Sequence, residues 1–178
     1  GLTFNGDAVD PATGIGRFDG GTLGASFAMR DQTLVDVQAS LDGVAADLIA
    51  RLQDPATDPT LAPGDQGLLT DQGSPLDPAD VAGLASRITV NAAIDISVGG
   101  NPVLLRDGLN AVAAGPAGNT TQLNRWIEAL GVPRADLPGT TPQSAAGRMA
   151  IFTSQVGATR LAAEEQLSFT SARWDTLR

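Results

Sequence analysis

Only carboxylates and guanidiniums can do charge chemistry in this 178-residue chain. It carries 20 acidic residues and 11 Arg, and it has no His, Cys, Lys or Tyr. That composition removes thiolate and Ser-His-Asp catalysis, Schiff-base lysines, the phosphate-loop lysine and His- or Cys-ligated zinc. Carboxylates remain, and they have two familiar uses. A facing pair about 5–9.5 Å apart can cleave glycosidic bonds. A cluster of oxygens can hold a hard cation such as calcium.

The candidates for these roles have weak spacing. Asp54, Asp58, Asp65 and Asp71 share one loop. They fit no EF-hand pattern, no bidentate Glu follows, and Asp54 and Asp58 directly precede Pro, where Asp builds turns. Glu164, Glu165 and Asp175 are the candidate hydrolase acids. On a helix, neighbours such as Glu164 and Glu165 point about 100° apart and cannot share a site. Gly14-Ile15-Gly16 begins like a dinucleotide fingerprint, but no βαβ unit surrounds it. Trp126 and Trp174 read as core or seam residues, and Arg30-Asp31 as a solvated pair or a contact to a neighbouring chain. No catalytic residue, cofactor site or metal site is assigned.

The net charge is 11 − 20 = −9. Phosphate backbones and anionic lipid surfaces repel such a chain, so neither nucleic acid nor membrane is an expected partner. No stretch of about 18 apolar residues occurs that could span a bilayer. The chain opens without Met in strand-like sequence, which reads as an excised fragment.

The elements are expected to be mainly helical. Residues 1–21 read as a β-hairpin or the remnant of an upstream β-rich domain. Leu2 and Phe4 alternate with polar residues, and Asn5-Gly6, Asp10-Pro11 and Gly14 mark turns. Residues 22–178 read as one helical bundle domain. Phe27, Leu34, Leu41 and Leu48 recur every seven residues, with Val37 and Val44 between them. This heptad predicts a long helix over 22–53 with a coiled-coil-like seam.

A Pro/Gly/Asp connection follows over 54–77. Asp77-Pro78 predicts a short helix to Ser86, and Ile88-Thr89-Val90 a short extended run. Asn101-Pro102 predicts a helix with Leu104, Leu105, Leu109 and Val112 on one face. Asn119-Thr120-Thr121 caps another with Leu123, Trp126, Ile127 and Leu130. Residues 133–140 are a turn region. Thr141-Pro142 opens the last helix, whose stripe is Met149, Phe152, Val156, Ala163, Leu167, Trp174 and Leu177. It has no terminator and is expected to continue past Arg178. The helices over 22–53 and 142–178 would each span roughly 50 Å. Neither can bury its stripe alone, so an elongated bundle with these two helices antiparallel is expected. The packing residues are then Phe27, Leu34, Val37, Leu41, Val44, Leu48, Met149, Phe152, Val156, Leu167 and Trp174.

Several motifs resemble one family in order. Gly20-Gly21-Thr22-Leu23-Gly24, then Phe27 and Arg30-Asp31, lead into a helix with Gln38 and Leu41-Asp42. Gly64-Asp65-Gln66-Gly67-Leu68-Leu69, Ile88-Thr89-Val90-Asn91 and Gly118-Asn119-Thr120 with Leu123 follow, before a helix through Gly147 and Val156-Gly157. This series resembles the flagellar hook-associated protein 1 (FlgK) family over about residues 20–178. The family's terminal axial helices and its Ser-Gly-Val continuation are absent, and Leu68-Leu69 stand where aromatics are common. The resemblance implies an extracellular, non-catalytic subunit at the hook–filament junction, exported by the flagellar type III route. Its implied partners are hook protein, the second junction protein and copies of itself, with an export chaperone for the full-length protein. The alternatives are a secreted helical binding module or adhesin fragment, and a carboxylate-dependent glycan hydrolase.

Overall fold

The computed structural model describes residues 2–4, 7–9, 21–135 and 141–177. The turn residues Asn5-Gly6, Asp10-Pro11 and Gly14, the Gly14-Ile15-Gly16 motif, Gly20, and 136–140 of the predicted turn region lie outside the described residues. The chain divides into two compact units, 1–41 and 42–178. The described residues are mainly helical.

In the first unit, β1 (Leu2–Phe4) and β2 (Asp7–Val9) pair antiparallel, Leu2 opposite Val9 and Phe4 opposite Asp7. This is the hairpin that the alternation of Leu2 and Phe4 predicts. α1 (Gly21–Ala28) runs into a π-helical turn, Met29–Thr33, and then into α2 (Leu34–Leu52). The helical span therefore matches the heptad prediction of 22–53 within a residue at each end. The π turn was not expected. Its i→i+5 bonding takes up one extra residue, so Phe27 and Leu34 are offset by about 100° from their ideal heptad alignment.

In the second unit, the last turns of α2 form the spine. Ala45 and Ile49 pack with Leu84 in one buried cluster. Leu52 joins Leu61, Ile94, Leu109 and Trp126 in another. The buried stripe thus runs through Val44, Ala45, Ile49 and Leu52, while Leu41 and Leu48 are half-buried.

The 54–77 connection contains a strand that the composition does not announce. β3 (Leu69–Asp71) pairs antiparallel with β4 (Ile88–Val90), Leu69 opposite Val90. Thr70 and Thr89 share a hydroxyl contact of 3.0 Å across the pair. The predicted helix from Pro78 to Ser86 forms only as a 3₁₀ turn, Leu84–Ser86. Gly83 before it is left-handed (φ +77°), and too few residues precede it to offset helix nucleation. A second 3₁₀ turn, Ile96–Val98, is capped by Asp95, which accepts from Ser97 N–H at 2.8 Å.

The predicted helix after Asn101-Pro102 is also short: α3 spans Leu104–Asp107. Gly108 (φ +107°) ends it, and a Cβ there would strike Thr60. Val112, expected on its apolar face, is fully exposed. α4 (Thr121–Gly131) forms as expected, with Trp126 buried. α5 (Ala145–Thr176) begins three residues after the predicted proline start. Gln143 pairs instead with Arg134 in an antiparallel bridge (N–H to O 2.8 and 2.9 Å), which holds the chain extended up to the cap at Ser144.

Candidate functional site

Buried polar groups join the two apolar clusters in holding the second unit together. Each of them receives or donates bonds that tie separate segments of the chain together. Asp42 accepts from Gly83 N–H (2.7 Å) and Ala85 N–H (2.8 Å). Asp58, fully buried, accepts from Leu109 N–H (2.8 Å), Thr60 N–H (3.0 Å) and the Thr60 hydroxyl (2.7 Å). Asn91 donates to Gly67 O at 2.8 Å, Gln122 to Thr57 O at 3.0 Å, and Trp126 to Leu105 O at 3.0 Å.

The densest of these nodes centres on Arg51, whose side chain is fully buried. Its Nε donates to Asp47 Oδ2 at 2.7 Å, one helical turn back. One terminal nitrogen reaches Ala129 O (2.8 Å) and Val132 O (2.5 Å), and the other reaches Gln143 O (2.7 Å). The carbonyls at the end of α4 would otherwise lack partners, and a cation there complements the helix dipole. Arg148, on the first turn of α5, adds a second guanidinium to the same oxygen, Nε to Asp47 Oδ2 at 3.1 Å. It also donates to Arg134 O at 3.2 Å. Residue types alone did not single out this node.

The four loop aspartates do not converge. Asp54 pairs with Arg134 (2.6 Å) and accepts from Ala56 N–H (2.9 Å). Asp65 accepts from Ala62 N–H (2.8 Å) and the Asn110 side chain (2.9 Å). Asp71 lies in the fork of Arg87, and Asp58 is the buried staple already described. No group of three carboxylates converges among the described residues. Glu164, Glu165 and Asp175 are exposed on α5, and Glu164 pairs with Arg160 of its own helix at 2.7 Å. A shallow cleft of about 290 Å³ lies between the 54–57 turn and α4, lined by Asp54, Thr57, Arg125, Glu128, Val132 and Arg134. Its Asp54–Arg134 pair is already closed.

Hydrogen bonds set the carboxylate electrostatics. The Arg87 guanidinium holds Asp71 below the usual carboxylate range. Arg106 does the same for Asp107, helped by Gly115 N–H. The hydroxyl and then the backbone N–H of Ser97 lower Asp95. In the first unit, Arg30 grips Asp31 (2.5 and 2.8 Å), lowering its pKa, and stacks 5.2 Å from the Phe27 ring centre.

Within their own units, the predicted packing residues are unevenly placed. Val44 is buried, and Phe27, Val37, Leu41, Leu48 and Phe152 are half-buried. Leu34, Met149, Val156, Leu167 and Trp174 are exposed, Leu167 at 68% and Trp174 at 61%. No described residue of α5 is buried, and no described helix is long and apolar enough to cross a membrane. No family model, curated protein or solved structure matches the chain.

Proposed function

We propose that the chain is a structural subunit of the bacterial flagellum at the hook–filament junction. It works outside the cell by helix packing, with copies of itself and with hook and second junction proteins, and without catalysis. The ordered motifs from Gly20-Gly21 to Val156-Gly157 motivate this reading. The observation that carries it is α5, a 32-residue helix with Met149, Val156, Leu161, Leu167 and Phe169 exposed. A helix of that length with an apolar stripe is stabilised by packing against other protein.

In this reading the helices over 22–53 and 142–178 lie antiparallel in an elongated bundle. Concentration-dependent assembly of the full-length protein with hook and filament proteins tests the proposal. Filaments that stay normally attached after deletion of the native gene would end it.

A second reading, a secreted helical binding module, draws on Ile96 and Val98. Both stand exposed on a tightly capped turn of the second unit. It expects Ile96→Ser with Val98→Ser to leave flagellar assembly untouched.

A further inference from the structure

We infer that α5 is a lever arm whose angle to the second unit is fixed by one side chain, Arg148, acting as a joint. All of the helix's attachment to that unit lies in its first two turns. Ser144 caps it by accepting Gly147 N–H at 3.0 Å, and Phe152 is half-buried. Every described residue from Thr153 to Thr176 is exposed. Those 24 residues make an arm of roughly 36 Å, so a tilt of about 10° at the base moves the tip by roughly 6 Å.

The backbone bridge between Gln143 and Arg134 anchors the chain before the helix begins, but it leaves the helix's own direction open. Arg148 fixes it, because its guanidinium ion-pairs with the Asp47 carboxylate on α2 and donates a hydrogen bond to Arg134 O on the bridge. Its side chain is only 11% exposed. A planar guanidinium that ion-pairs with one element and donates to another restrains orientation as well as distance.

The charge arrangement separates the joint from the core. Asp47 Oδ2 is shared between Arg51 at 2.7 Å and Arg148 at 3.1 Å. Removing Arg148 therefore leaves Asp47 neutralised by Arg51, and all the carbonyl bonds of Arg51 remain in place. The arm is freed while the unit stays folded. The joint holds whatever the arm serves, so its test is independent of the flagellar reading.

The chain contains no Cys, so two introduced thiols can be labelled uniquely. Spin labels at Asn124→Cys on α4 and Ser168→Cys on the arm report the angle through their distance distribution. The expected result is a narrow distribution in the parent and at least a twofold broader one in Arg148→Gln, with an unchanged urea midpoint. Arg148→Lys, which keeps the charge and loses the fork, should fall between the two. Arg160→Gln, on the exposed arm, should match the parent. Equal widths in the parent and Arg148→Gln would overturn the inference. So would loss of the core transition in both Arg148 variants, because joint and core would then be one structure.

Discussion

Arg87 holds both carboxylate oxygens of Asp71, Nε to Oδ1 and Nη2 to Oδ2, each at 2.9 Å. The same guanidinium donates to Ala82 O (2.6 Å) and Asp80 O (2.8 Å). One side chain thus binds the β3–β4 ladder to the irregular 77–83 segment, where no helix forms to do so.

This geometry sets a pH dependence. Asp71, Asp95 and Asp107 all have folded-state pKa values pushed below normal. Their unfolded value is about 3.9. Depressed carboxyls contribute stability that is fully present above the unfolded pKa and is lost as pH falls through the folded values. The melting temperature should be flat from about pH 5 to 7 and fall below about pH 4. Asp71→Asn should melt lower at pH 7 and show a shallower acid fall in thermal scans.

Arg51→Met should be the most damaging single substitution of an Arg. It strands the Ala129 and Val132 carbonyls, leaves Gln143 O to Arg134 N–H alone, and leaves Asp47 with Arg148 alone. Loss of one partner from a buried charge network costs about 3–5 kcal/mol. Urea denaturation followed by circular dichroism should show it. Arg160→Gln, which breaks an exposed pair, should cost less than about 1 kcal/mol.

Asp58→Ala should cost about 1–3 kcal/mol, since it leaves Leu109 N–H buried without its acceptor. The loss should appear as faster amide exchange at Leu109 and Thr60, with exchange at α5 unaffected.

The two tryptophans should separate by quenching. Trp126 is 5% exposed and Trp174 is 61% exposed. Acrylamide should quench two populations in the parent. Trp174→Phe should leave one, shielded and blue-shifted.

Long periodic segments were legible because their signal is local. The apolar spacing from Phe27 to Leu48 marks Gly21–Leu52, and Leu123, Trp126, Ile127 and Leu130 mark α4. The short pieces were not. Leu69-Thr70-Asp71 becomes a strand only because Thr89 lies opposite, and the predicted helix from Pro78 gives way to a single 3₁₀ turn whose entry Asp42 holds through the N–H groups of Gly83 and Ala85. The π turn at Met29–Thr33 left no pattern to read, yet it offsets the stripe that the heptad draws straight. Arg51 escaped notice for another reason. An arginine in an amphipathic helix reads as surface, and three of its four acceptors are backbone oxygens with no residue-type signature.

Those oxygens also belong to residues far along the chain, 78, 81 and 92 positions after Arg51. A ribosome making this protein releases the arginine with Asp47 already made but long before the three carbonyls exist to receive it. The full set of Arg51 bonds is complete only once residue 143 has emerged.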